Sequence, residues 1–187
     1  MRETRTLIIG TVLLLLAGVA FGADNLGFSA ARGMRSHETA AGDYFTYSFT
    51  GINATFMTGF KSGMFAGANV GLLEKADGLV DTQTMAGDVL VGARYGSEWD
   101  AAGFHFGAGV NSGLETYRFG DSGDASTLFS LGVAATGGVT YYLTDSVGLF
   151  LHLHAGYSPI TSDIRGKRNE STPESVNSVL FQGGMQF

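Results

Sequence analysis

The chain has 187 residues, of which 29 are glycine and none is cysteine, and its formal net charge is −6. Glycine is at roughly twice its ordinary frequency, whereas charged residues make up only 15% of the chain. The lack of cysteine excludes disulfides and thiolate metal sites, and the acidic balance argues against a nucleic-acid partner. An apolar share of 44% with 14 phenylalanines and 7 tyrosines does not describe a disordered chain.

Residues 1–22 have the organisation of an export signal. Two arginines precede an apolar run rich in leucine, and Ala20 and Gly22 provide the small residues for cleavage after Gly22. A retained transmembrane helix is the alternative, because the uncharged run approaches the length of a membrane span. No basic cluster follows the run, which favours the signal. We therefore predict a cleavable signal peptide at 1–22 and one domain at 23–187.

After the signal, apolar and polar residues alternate with a period of two. In one clear case Phe104, Phe106 and Val110 alternate with His105 and Asn111. This period indicates strands with two unlike faces, and many of the segments reach the ~9–11 residues that cross a bilayer as a tilted strand. The eight predicted strands are 25–34, 44–60, 64–73, 87–96, 102–116, 127–143, 147–157 and 178–187.

The predicted connections alternate in length along the chain. The three short turns are 61–63, 97–101 and 144–146, and the four long loops are 35–43, 74–86, 117–126 and 158–177. Short turns at one end and long loops at the other are typical of outer-membrane barrels. Both prolines, Pro159 and Pro173, fall in the last long loop, where they interrupt no strand ladder.

Two positions do not fit a simple alternation. In the second strand, the aromatic residues up to Phe49 have one parity and the apolar residues from Ile52 have the other. We therefore expect a β-bulge near Thr50 and Gly51. In the first strand, Arg32 shares the parity of the apolar residues, so we expect that strand to end or bulge just before it.

The strand parity that carries most glycines also carries the histidines and, except for Arg32, the charged residues within the strands. An eight-stranded barrel has an interior just wide enough for side chains, and a soluble core built mostly of glycine would bury little apolar area. The sequence therefore predicts an all-β fold, a single eight-stranded antiparallel transmembrane β-barrel with glycine and polar residues inside. We expect an interior polar network of Asp88, Arg94, His105, Glu115, His152 and His154, joined by Asn69, Asn111 and Gln182.

Candidates for chemistry are few. His152 and His154 stand at i and i+2 and could ligate a metal, but no adjacent carboxylate supports the pair, and buried polar groups require partners. Ser36 and His37 are neighbours, yet neighbours on an extended chain point apart. We therefore predict neither an enzyme nor a bound cofactor or metal.

One basic patch lies in the last long loop and consists of Arg165, Lys167 and Arg168. It is either a contact site for anionic lipid headgroups, saccharide or host matrix, or a solvated loop tip. Nearby acidic residues favour the solvated loop.

Two segments resemble a known family. Residues 138–149 resemble a strand, tight periplasmic turn and following strand of the small outer-membrane barrels of the OmpA, OmpX and opacity-protein type. The ending with Met185 and Phe187 resembles the C-terminal assembly signal of that family. The resemblance implies an outer-membrane location in a diderm bacterium, contact with outer-membrane lipid, and insertion by the outer-membrane assembly machinery.

This family includes adhesins, stabilising wall proteins, small-solute channels and a few lipid-modifying enzymes, so the resemblance implies no single activity. From the long loops and the filled interior we predict a surface-exposed structural or interaction protein with an adhesin-like role toward host or envelope molecules. A narrow channel for small solutes is the alternative, and a lipid-modifying enzyme ranks third.

Overall fold

The computed structural model describes residues 25–39, 42, 44–58, 62–75, 84–118, 125–164 and 173–187. This part of the chain forms eight antiparallel strands, each paired with the next, and the last strand pairs with the first to close a barrel. The strands are β1 (Asn25–Thr39), β2 (Tyr44–Met57), β3 (Ser62–Lys75), β4 (Thr84–Trp99), β5 (Ala102–Arg118), β6 (Ala125–Thr144), β7 (Val147–Asp163) and β8 (Pro173–Gln186). The predicted fold is confirmed. The predicted signal peptide, 1–22, lies outside the described residues.

The alternation of burial follows the alternation of the sequence. Along the first half of β7, Leu149 and Leu151 are exposed, whereas Phe150, His152 and His154 are buried. The same inside-out arrangement holds along β8, where the buried positions from Ser178 onward include polar residues. Among the described residues, no helix has the length and apolar character to cross a membrane.

The strands extend further toward the long-loop end than the sequence pattern indicates. The predicted loop 158–177 is occupied by the end of β7, which reaches Asp163, and by the start of β8 at Pro173. Most residues there are polar, so the apolar–polar alternation is lost while the backbone ladder continues. The four long connections are accordingly shorter than expected.

Both prolines lie in strands, contrary to the prediction. Pro173 is the first residue of β8, and Pro159 lies within β7. On the β8 side, Ser158 is the last residue of β7 that is paired, and Pro159 directly follows it. On the β6 side, Pro159 lies opposite a register shift around Gly132. A residue without an N–H is tolerated at such an irregular position of a ladder.

The expected end or bulge before Arg32 is not present. Arg32 pairs with Thr50 of β2 and Phe181 of β8 in an unbroken register, and its side chain is exposed on the outer face. The strand continues to Thr39, so residues predicted to lie in the first long loop belong to β1. The sequence pattern therefore missed the interior-facing positions at the end of this strand.

The bulge predicted near Thr50 and Gly51 is likewise absent, because β2 pairs with β1 and β3 without a shift. The alternate positions of β2 that carry its aromatic residues up to Phe49 face inward instead, and Phe49 is fully buried. A Cβ atom built on Gly51 or Gly71 would lie 2.9 or 2.7 Å from Cζ of this ring. The two glycines therefore leave the space that the phenylalanine fills.

Candidate functional site

The half of the barrel interior nearer the long connections contains an ionic cluster of Arg35, His37, Asp88 and Glu115. Arg35 donates from Nη1 to Oε1 of Glu115 at 2.6 Å and from Nη2 to a carboxylate oxygen of Asp88. His37 Nε2 lies 2.7 Å from the other carboxylate oxygen of Glu115. The three charged side chains Arg35, Asp88 and Glu115 are at most 2% exposed. Because buried charges are stable only when paired, each member depends on the others.

The cluster spans the lumen. Arg35 belongs to β1 and Glu115 to β5, and these two strands stand on opposite sides of an eight-stranded closed barrel. Two neighbouring features make room for the guanidinium. Gly113 carries no side chain opposite it, with a built Cβ position 3.9 Å from Nη1 of Arg35, and the ring of Phe49 lies 5.2 Å below the guanidinium carbon. Arg35 is thus held by charge on one side and by an aromatic face on the other.

Amide side chains extend the cluster around the wall. Asn69 donates to Asp88 at 2.6 Å, while Gln182 and Asn53 donate to Asn69 at 2.9 and 3.0 Å. Thr55 donates to Asn53 at 2.7 Å. The network therefore connects β1, β2, β3, β4, β5 and β8 through buried side-chain hydrogen bonds.

Beside the ionic cluster, the interior contains a histidine cluster of His105, His152 and His154, which line one small cavity. The rings of His105 and His152 meet edge to face with centroids 4.2 Å apart, and His152 stacks on Phe150 at 4.1 Å. Within the described part of the chain, the Nε2 atom of each of these histidines has no hydrogen-bond partner. Arg94 lies beside them and is buried.

The structure thus places all six predicted interior residues inside the barrel, but in two groups rather than one. Asp88 and Glu115 belong to the ionic cluster together with Asn69 and Gln182. The expected link to the three histidines is absent among the described residues, where their Nε2 atoms have no partner, as is also true of Oδ1 of Asn111.

Arg35 and His37 were missed by the sequence prediction. The signal that could have found them is the continued alternation of β1, in which Ala31, Gly33, Arg35, His37 and Thr39 share one parity. Ser36 points the other way and contacts Thr46 at 3.1 Å on the outer face. Adjacent Ser36 and His37 therefore stand on opposite faces, as expected, and cannot act as a nucleophile and base.

Two small cavities lie in the described part of the interior. A cavity of about 30 Å³ lies between the two clusters, lined by Asn53, Asn69, Arg94 and the histidines. A second cavity of about 10 Å³ lies beside Glu98 and Tyr142, near the short turns. Each has space for about one water molecule. Among the described residues, no group of three or more His, Asp or Glu side chains is placed to hold a metal ion.

The remaining sequence candidates are the two residues of the assembly signal and the basic patch. Met185 on β8 and Phe187, directly after the end of that strand, face outward. The backbone of Phe187 exchanges hydrogen bonds of 2.8 and 3.0 Å with Leu26, which completes the closure of the barrel. The basic patch of Arg165, Lys167 and Arg168 lies outside the described residues.

The fold has known counterparts. The structure of Neisserial surface protein A superposes with a TM-score of 0.61 at 20% identity and covers 87% of this chain and 94% of that one. Ail, the attachment invasion locus protein of Yersinia pestis, superposes with a TM-score of 0.50 at 8% identity and covers 87% and 98%. No protein-family model matches the chain, and no curated protein matches it. The chain has the fold of the small eight-stranded outer-membrane barrels.

Proposed function

We propose that this protein is a closed outer-membrane barrel of a diderm bacterium, with a structural or interaction role carried by its long-connection end. The observation that carries the proposal is the ionic cluster, because Arg35 and Glu115 join across the lumen and are inaccessible to solvent. A path for solutes would have to break this pair. The narrow channel is therefore the weaker of the two predicted functions.

The outer surface supports placement in a membrane. Large apolar side chains are exposed on every strand, including Ile52, Val110, Val133 and Leu151. Contiguous exposed apolar surface of this kind is rare on soluble monomers. Exposed aromatic residues occur toward both ends of the barrel, as in the aromatic girdles of membrane barrels. Tyr44 and Tyr157 lie toward the long connections, and the group toward the short turns includes Tyr95, Trp99, Phe104, Phe106 and Tyr141.

The interaction role is supported by the shape of the molecule and by its structural counterparts. Strands β6 and β7 have 20 and 17 residues, more than the ~9–11 that cross a bilayer. The surplus projects the long-connection end beyond the membrane. The names of the two counterparts describe a surface protein and an attachment and invasion protein, which fits a contact role for that end.

An attachment assay tests the role. Cells producing the intact protein should adhere to host matrix or to sister cells more than cells producing a variant with 76–83 and 165–172 replaced by short Gly-Ser linkers. The variant must still migrate as a folded barrel in unboiled gels. Equal adhesion of both cell types, at equal surface amounts, would contradict the interaction role.

Assembly is a second part of the proposal. Phe187 closes the barrel seam by its backbone and presents its ring on the outer face. We expect deletion of Phe187 to lower the outer-membrane amount of the protein and to leave it degraded in the periplasm. Normal outer-membrane levels of the truncated protein would contradict an assembly signal at Met185 and Phe187.

A further inference from the structure

Arg32 is a charged residue on the apolar outer face. It follows Ala30 and precedes Met34 on the outward side of β1, and its cross-strand neighbours are Thr50 and Phe181. Its side chain is exposed, and no hydrogen bond or salt bridge connects it to another residue in the described ranges. If this face meets lipid, as the proposed function requires, an unpaired guanidinium there is unfavourable.

A groove begins at Arg32. It has a volume of about 610 Å³, which is within the range of ~300–1,000 Å³ found for ligand clefts. Gly183 contributes no side chain to it, so the leucine and phenylalanine side chains on either side form walls above a backbone floor. The outward-facing residues that line it are Ala30, Arg32, Thr50, Gly137, Val139, Leu151, Leu153, Phe181 and Gly183.

The polar groups of the groove lie at one end. Arg32 and Thr50 face each other across β1 and β2, whereas the lining from Phe181 to Leu151 is apolar. The guanidinium presents a planar set of donors that matches a phosphate, and the threonine hydroxyl is a further donor. A ligand that fits this arrangement has an anionic oxygen group at one end and a hydrocarbon chain at the other.

We propose that Arg32 and this groove bind one phosphate-bearing membrane lipid, with the phosphate on the guanidinium and an acyl chain along Gly183. The inference rests on the proposed membrane location. A protein partner fits less well, because the lining outside Arg32 and Thr50 offers no charged or amide side chain on the outer face to complement it. The next outward-facing residue of β1 after Arg32 is Met34, which is also the last apolar one. Arg32 therefore lies near the edge of the apolar surface, and its side chain reaches toward the headgroups.

Two variants test the two halves of the site separately. Arg32→Gln removes the cation, and Gly183→Leu fills the groove, since a Cβ atom there meets only the flexible end of Leu151, at 3.2 Å. Leu114→Gln and Ala108→Leu are the controls, because they introduce the same two side chains on the exposed face of β5, on the opposite side of the barrel.

The measurement is native mass spectrometry of the refolded protein with phosphatidylglycerol in detergent. We expect one retained lipid per wild-type barrel and about tenfold less retention in R32Q, the scale of losing one charge-assisted contact. Retention should also fall in G183L, because the new side chain occupies the groove. L114Q and A108L should retain the lipid as the wild type does. Diacylglycerol, which lacks the phosphate, should be retained poorly by every form, and inorganic phosphate should not displace the lipid.

Several results would overturn the inference. These are equal retention by wild type and R32Q, equal losses in the control variants, or retention of diacylglycerol as strong as that of phosphatidylglycerol. A wild-type dimer that R32Q abolishes would assign the groove to a second copy of the chain. Folding and insertion are scored on the same samples by heat-modifiable migration, so an inserted barrel without bound lipid rejects this site alone, whereas a failure to insert rejects the membrane barrel.

Discussion

The two clusters in the barrel interior hold their buried polar groups in different ways. In the ionic cluster, Arg35, Asp88 and Glu115 bind one another through charge-assisted hydrogen bonds. In the histidine cluster, His105 and His152 pack by their ring faces and edges, and their Nε2 atoms have no partner among the described residues. The ionic cluster therefore depends on polar pairing, whereas His105 and His152 are held by ring packing.

The largest effect is expected from Arg35→Met. The change leaves the carboxylates of Asp88 and Glu115 buried and without their cation, and breaking a buried pair in this way costs about 3–5 kcal/mol. Chemical unfolding of the refolded protein, followed by the fluorescence of Trp99, measures it. Arg32→Met is the control in the same strand on the outer face, and it should change the free energy of unfolding by no more than about 1 kcal/mol.

A rescue experiment sharpens this result. Adding Asp88→Asn and Glu115→Gln to the Arg35 variant removes the uncompensated charge and should recover part of the lost stability. No loss in the single variant, or no recovery in the triple variant, would show that the cluster does not stabilise the barrel through charge pairing.

The next effect concerns the wall beside the histidine cluster. A Cβ atom on Gly138 would lie 2.1 Å from the carbonyl oxygen of Leu151, whereas the nearest atom to one on Gly137 is 3.6 Å away. We expect Gly138→Ala to destabilise the barrel by about 1–3 kcal/mol through overpacking, and Gly137→Ala to be nearly neutral. Equal unfolding midpoints of the two variants would contradict the close contact between Gly138 and the backbone of Leu151.

The smallest effect is expected in the histidine cluster itself. His152→Phe replaces a ring stacked on Phe150 by a ring of similar shape, and should change stability by less than about 1 kcal/mol. His37→Phe is the matched change in the ionic cluster, where it removes the hydrogen bond to Glu115 and should cost about 1–3 kcal/mol. A larger loss of stability in His152→Phe than in His37→Phe would contradict the claim that only the ionic cluster depends on polar pairing.

The sequence predicted the barrel because period-two alternation survives wherever one face is apolar, as along β5 and the first half of β7. It failed where the faces are not chemically distinct. Phe49 faces inward because Gly51 and Gly71, on its own strand and the next, leave a space for its ring. Such a space arises from cross-strand register, which no single strand reveals.

The sequence also did not predict the interior positions of Arg35 and His37, again because a single strand does not reveal its partners. Arg35 and His37 stand beyond Arg32, and a charged residue on the apolar face suggested that the strand had ended. The partners of Arg35 lie on β4 and β5, 53 and 80 residues away in the sequence. The charge pairing became visible only when barrel closure brought these strands opposite β1.

Single-channel recording in planar bilayers tests the closed interior most directly. Insertion is first verified by heat-modifiable migration and by protease protection of the bilayer-embedded protein. We expect no stable conductance steps from the inserted wild-type barrel, because Arg35 and Glu115 join across its lumen. Reproducible conductance steps from wild-type protein with the ionic cluster intact would contradict the closed barrel and favour the channel.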